Sequence, residues 1–410
     1  MAAPRVLVME PIYLSLVQRI VAFVKWAVLI AIGIPLGVAI APYAIGPVYR
    51  FPTPAPFSGT AFYNPYADAP AGAHWRTANF HAHGRAWGGL TEGRQTDSAI
   101  VDYYYNKLGY DIAGVSDYLH IDHRRTDSSF VPVYEHGVNA LKTHLLGINA
   151  RHVVWFDFPL PQSRSEKQYV IDRVAGDASL VALAHPALRG GYSRDDLAYL
   201  THYQLFEVLN HFVVSDSLWD VALSTGHAVW AIGSDDSHNI TDAGQTGAMW
   251  TEILTPSTRA ADVVEALKAG RTYAVAGHQA RSDAHPEQIA VRGDTLTVTC
   301  EGPVSRIDFI GQGGRLLGRA FGVESASYAI QPGDAYVRTV ISTPHTLMFL
   351  NPIVRYDGKK LARPGAQLDG PKTWALRSSI LVTAVMLIWL ALERRRFALR
   401  RRLRPEPALA

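Results

Sequence analysis

The stretch ANFHAH, Ala78 to His83, is a short apolar run that stops on two histidines. On an extended strand residues i and i+2 share a face, so His81 and His83 can both reach one cation at about 2.0–2.2 Å. The same punctuation recurs down the chain. DIAGVSD (111–117) stops at Asp117, PVYEHG (132–137) carries Glu135, and THLLGI (143–148) carries His144. LVALAHP (180–186) stops at His185, QLFEVLNH (204–211) at another histidine, and AVWAIGSDDSH (228–238) at Asp236 and His238, a second i, i+2 pair. Of 16 histidines, 13 fall between His74 and His238, which is too concentrated for scattered surface use. Between the runs, residues 96–108 start on a Thr cap and stop at Gly109, and 258–269 follow Ser257 and stop at Gly270, as helices do. Strands alternating with helices predict an α/β fold with a mostly parallel sheet, its polar clusters at the C-terminal strand ends where barrels of this kind gather their active sites.

Beyond residue 281 the rhythm changes to strict alternation. Leu296, Val298 and Cys300 alternate with threonines, Ile307 and Phe309 with Arg306 and Asp308, and Ala335, Val337 and Ile341 share one parity. Short strands broken by GQGG and QPGD turns predict a small all-β sandwich over 281–372. Before the histidine-rich part, residues 50–76 are rich in proline and read as an extended spacer.

The outer segments are of another kind. Residues 26–49 run without a charge, long enough to cross about 30 Å of hydrocarbon. A second apolar stretch, 373–392, is followed by seven arginines between Arg394 and Arg404. Residues 1–50 hold four bases against one acid and 373–410 hold eight against two, so the mild net charge of +3 hides a middle, 51–372, of 27 bases against 33 acids. Positive flanks stay in the cytoplasm. The expectation is a two-pass membrane protein with both termini (1–25 and 393–410) cytoplasmic and the acidic module, residues 77–280 with its β appendage, on the far side. An acidic body without a basic patch also argues against nucleic acid as a partner.

His81, His83, Glu135, His144, His185, Asp236 and His238 make seven nitrogen and oxygen ligand candidates, and the single Cys300 leaves no cysteine site. Such a set suits Zn, Mn or Fe better than Ca or Mg. More than four ligands implies more than one ion, with a carboxylate such as Glu135 bridging two cations about 3.5–4 Å apart.

The ordered motifs NFHAH, AGVSD, VYEHG with THLLGIN, LAHP and IGSDDSH resemble the PHP family, the polymerase and histidinol phosphatase metallohydrolases. The stretch ILTPSTRAADVVEALKAGRTYAV and the LNPIV ending of the β-module are similar to members with a C-terminal immunoglobulin-like domain. The resemblance implies a distorted seven-stranded β/α barrel and hydrolysis of a phosphoester by a hydroxide bridging two divalent ions. It assigns His81, His83, Glu135 and Asp236 to the first ion and Glu135, His144 and His185 to the second. Two departures affect a third ion. Trp87-Gly88-Gly89 offers no ligand where the family has one, and Asp117 is followed by Tyr118 rather than histidine. A third ion with His238 therefore requires Asp117 and His120 to stand in; otherwise Asp117 is free to orient or deprotonate water. The expected substrate is a small phosphoester, a lipid headgroup or an envelope intermediate. The rival readings are an amidohydrolase-type metal enzyme and a metal-binding scaffold with reduced catalysis.

Overall fold

The computed structural model describes residues 10–402 apart from positions 123, 124 and 126. The start of the N-terminal segment and the end of the Arg-rich tail, with Arg404, lie outside the described residues.

Two sheets organise the folded part. The first orders its strands Trp230–Ser234, Leu205–Asn210, Ala178–Ala184, His144–Ala150 and Val133–His136, with Val213–Val214 hung on Leu205–Asn210. These strands are buried on both faces over most of their length, which is why they read as near-continuous apolar runs. The second sheet runs Pro286–Arg292, Thr295–Gly311, Tyr336–Ser342, Leu347–Leu350, Thr272–Ala276, Met249–Thr255, His74–Asn79 and Ile112–Ala113.

The strands are mixed in direction, not mostly parallel. Trp230–Ser234, Leu205–Asn210 and Ala178–Ala184 are parallel neighbours, but Val133–His136 and Ala178–Ala184 both run antiparallel to His144–Ala150 between them. The 137–143 connection is too short for the crossover of about a dozen residues that parallel neighbours need. Among the described residues no continuous ladder closes a seven-stranded barrel. The two sheets join at one end through isolated bridges, Ala82 to Ser237 and Tyr118 to Glu135. The His83 N–H donates to the Ser237 carbonyl and the Ser116 N–H to that of Ala82, each at 2.8 Å.

The helices expected from their caps are present. Thr96 caps Asp97–Tyr103, which continues through a wider turn to Gly109, and Ala260–Ala269 stops at Gly270, both glycines being left-handed. Arg164–Ala175, outside the segments expected to be helical, starts on a reciprocal capping box of Ser163 and Glu166.

The module beyond 281 does not stand apart as a sandwich. Its strand Leu347–Leu350 pairs antiparallel with Thr272–Ala276, so the β-module and the histidine-bearing strand His74–Asn79 belong to one 11-stranded sheet. Leu296, Val298 and Cys300 are buried as their alternation predicts. Alternation specifies a strand's faces, but it says nothing about which strand lies beside it.

The proline-rich 50–76 segment is likewise no free spacer. Phe57 joins the core, Ala61–Tyr63 pairs with Ile353–Tyr356, and the Tyr66 hydroxyl donates to the Thr272 carbonyl at 2.8 Å. Outside the folded part are two helices long and apolar enough to cross a membrane, Leu16–Ile45 within Glu10–Ile45 and Gly370–Ala398 within Gly370–Arg402. The first starts earlier and ends sooner than the uncharged run 26–49, because Tyr49–Arg50 leaves to pair with Gln367–Leu368.

Candidate metal centre

His81 and His83 lie where the chain runs on past His74–Asn79 to bridge Ser237. Asp236 follows Trp230–Ser234 with a φ of +50°, and His185 follows Ala178–Ala184 with a φ of +30°. Such left-handed non-glycine backbone costs about 1–3 kcal/mol each and persists only where neighbours over-determine it. Here the Asp236 N–H donates to the His81 carbonyl at 2.8 Å, and the His185 N–H to the Glu207 carboxylate at 2.6 Å.

Glu135 faces both ways. Its Oε1 lies 3.0 Å from His185 Nε2 and 3.5 Å from His81 Nε2, and its Oε2 lies 3.3 Å from His83 Nε2. Asp236 Oδ1 closes the set, 3.3 Å from His81 Nε2 and 3.1 Å from His83 Nε2. His81, His83 and Asp236 offer one group of ligand atoms within 4.8 Å of one another, and His81, Glu135 and His185 a second. His81 Nε2, His83 Nε2 and Glu135 Oε2 are buried without a hydrogen-bond partner. Buried polar atoms ordinarily find partners, and a convergence of bare imidazole nitrogens and carboxylate oxygens fits divalent cations.

The electrostatics agree. Burial opposes a charge on His81, but Asp236, Glu207 and Glu135 outweigh it and hold the imidazole well above its ordinary value. The balance at His83 is the same, burial against Asp236 and Glu135, and lifts it to about 9. Burial likewise works against ionised Glu135, yet His144 and His81 keep it well below the usual carboxylate range; for Asp236, His81 and His83 do the same. Two buried carboxylates are thus held ionised among imidazoles.

The remaining sequence candidates divide. His144 opens its strand instead of ending it, and the antiparallel pairing brings it to Glu135, with Nδ1 2.6 Å from Oε1. It belongs to neither group of three. His238 also stays outside both; its Nδ1–H donates to the Asp236 carbonyl at 2.9 Å and its ring stacks on His83 at 4.5 Å. Asp117 and His120 do come together, with Asp97 as a third member. Asp117 Oδ1 accepts the Gly84 N–H at 2.6 Å, and burial, then Asp97, pushes its carboxyl up to about 7.

Several site residues escape a reading of the sequence. Asp97 looks like an ordinary acid in a helix's first turn. Glu207 sits inside the apolar run QLFEVLNH, fully buried, and its Oε1 lies 2.9 Å from His81 Nδ1. A carboxylate there fixes which imidazole nitrogen faces the centre. Asn210 donates to both Glu207 and Asp236, at 3.1 and 3.2 Å. Tyr118 stacks on His83 at 4.7 Å, and the Lys142 ammonium donates to its hydroxyl at 3.3 Å. A polar residue at inward parity in an otherwise apolar run was the available signal for Glu207; nothing local marks Lys142.

The chain is thus a mixed α/β protein with a buried histidine–carboxylate centre. No known family's sequence profile matches it, and no curated protein matches it in sequence. Among solved structures it is similar to a two-domain protein from Bacteroides vulgatus ATCC 8482 described as containing a predicted PHP-like metal-dependent phosphoesterase. The identity is 14%, the TM-score 0.39, and the match covers 74% of this chain and 92% of that one.

Proposed function

We infer that the protein is a membrane-anchored, metal-dependent phosphoesterase. The observation that carries this reading is the convergence of His81, His83, Glu135, His185 and Asp236, all buried, with His81 Nε2, His83 Nε2 and Glu135 Oε2 bare. His81, His83 and Asp236 would hold one divalent ion and Glu135 with His185 a second, Glu135 serving both because its two oxygens face different imidazoles. Bound there, the ions supply Lewis acidity toward phosphoryl oxygens and a water-derived nucleophile at neutral pH.

The chain's own groups do the rest. Glu207 and Asn210 hold His81 and Asp236 in register. Lys142, beside Tyr118 at the edge of the centre, presents a cation to a phosphoryl oxygen. Asp117, titrating near 7 and anchored by the Gly84 N–H, is matched to taking a proton from the attacking water and returning it to the leaving oxygen. The two apolar helices would anchor the protein with both basic ends in the cytoplasm and the acidic body across the bilayer.

The test uses the full chain purified in detergent. About two transition-metal ions per chain by mass spectrometry and metal-dependent hydrolysis of a phosphomonoester or phosphodiester are expected, with Asp236→Ala losing both. Turnover of an N-acyl or lactam substrate in place of any phosphoester would assign the centre to amide hydrolysis instead. Full metal occupancy without turnover would leave a binding protein.

A further inference from the structure

Both long apolar helices leave the folded part at the end that carries the metal centre. The chain's path shows this. His144 opens its strand opposite Ala184, and Arg151, just past that strand, donates its N–H to the Asp177 carbonyl at 3.2 Å. Helix Arg164–Ala175 therefore finishes at the far end and begins at the ligand end. Ser165, in its first turn, accepts the Tyr49 N–H at 3.1 Å, immediately after the first membrane helix. Tyr43 of that helix packs on Phe158 with ring centroids 5.1 Å apart, and Gly46 is buried against the same ring. One residue away, the Asp157 carboxylate accepts the Val138 N–H at 2.8 Å, and Val138 follows closely after Glu135. The second helix departs alongside, since the Thr373 hydroxyl accepts the Val48 N–H at 2.9 Å and Arg377 donates to the Ile45 carbonyl.

Between the exposed charges of this end, such as Arg85, Arg94 and Arg189, lie exposed apolar side chains. Between residues 51 and 366 the described chain exposes nine large apolar side chains: six lie on this side, Trp155 lines a cleft that reaches toward Asp177, and Leu316 and Phe321 belong to the β-module. Trp87 and Leu90 follow the His81–His83 segment, and Val138 follows Glu135. Phe212 and Val214 follow the strand Leu205–Asn210. Trp155 packs on Trp87 with centroids 5.5 Å apart, and Leu160 lies in the same loop as Phe158. Exposed apolar residues gathered on one face mark an interaction surface, and tryptophans beside an emerging helix sit at headgroup depth.

We propose that the mouth of the metal centre opens onto the bilayer, and that the phosphoester it takes is the headgroup of a membrane lipid reached from the leaflet. A rim seated in the interface brings a headgroup phosphate level with Lys142 and the histidines while the acyl chains stay in lipid. The substrate half rests on the phosphoesterase reading; the orientation half does not.

The experiment separates the two. The full chain with Cys300→Ser is spin-labelled singly at Leu90→Cys, Phe212→Cys or, as the far-end control, Arg151→Cys, and reconstituted into phosphatidylcholine–phosphatidylglycerol vesicles. Labels at 90 and 212 are expected to collide with oxygen as interfacial sites do, and the label at 151 with a water-soluble nickel chelate. In the unlabelled full chain, phosphatidic acid and phosphatidylglycerol in mixed micelles should give kcat/KM at least about tenfold above their deacylated glycerol phosphates, since buried acyl chain adds binding. Water-like labels at 90 and 212 overturn the orientation, whatever the activity. Interfacial labels with no acyl preference overturn the lipid substrate. Interfacial labels with no phosphoester hydrolysed at all overturn the phosphoesterase reading and the substrate with it, and leave the orientation supported.

Discussion

At the residue scale the centre depends on groups that never face the pocket directly. Glu207 holds His81 through Nδ1 and, through the His185 N–H, also fixes a strained backbone, so one buried carboxylate positions members of both candidate groups. Glu207→Gln keeps the volume but loses the charge that orients His81. The expected result is a 10- to 100-fold weaker metal affinity, read by competition with a chromophoric chelator, with the fold intact by circular dichroism. Asp117 makes a contrasting prediction. Asp117→Asn preserves the bond from the Gly84 N–H and removes only the titrating oxygen, so metal content should stay while kcat falls about 10²- to 10⁴-fold. A loss of metal in step with kcat would show that Asp117, with Asp97 and His120, ligates an ion rather than carrying a proton.

At the element scale, what was legible in the sequence was local and what was not was pairing. The i, i+2 spacing of His81 and His83 put both imidazoles on one face, and caps at Thr96 and Gly109 bounded a helix, because each signal is complete within a few residues. The antiparallel neighbours of His144–Ala150 could not be read this way, since the direction of a strand is set by where a loop returns. That choice is what brings His144, at the start of its strand, to Glu135 at the end of another. Glu252 shows the cost of such packing on the strand beside His74–Asn79. Burial, relieved only partly by donors from Trp250 and Thr77, pushes its carboxyl up to about 7 from the ordinary 4.5. A raised carboxyl contributes stability that is complete below about 4.5 and is lost as pH climbs through 7, a swing of about 3 kcal/mol. Glu252→Gln has no such proton to lose. The parent's thermal midpoint in detergent should therefore drop relative to the variant's between pH 5 and 8; parallel pH profiles would contradict the assignment.

At the scale of the whole molecule, the β-module and the histidine-bearing part share a sheet, and their contacts include buried polar groups that neither could satisfy alone. Asp220 is buried and receives both Arg338, at 2.8 and 2.6 Å, and the Tyr336 hydroxyl, at 2.8 Å. Asn351, within the LNPIV stretch, accepts the Ala231 N–H at 2.7 Å and donates to the carbonyls of Gly270 and Thr272, each at 2.9 Å. Removing the module would strip Thr272–Ala276 of a neighbour, and truncating Arg338 alone would leave Asp220 buried without its cation, at a cost of about 3–5 kcal/mol. The two parts should therefore unfold together. In urea, a probe of the metal centre and a probe of the β-module are expected to report one midpoint, and Arg338→Met should lower both by the same amount. A chain ending at residue 280 should be protease-sensitive and metal-free. A β-module that melts at its own midpoint, or a truncated chain that binds metal normally, would show that the shared sheet joins two independent domains, and the fused sheet would then have no part in holding the metal centre.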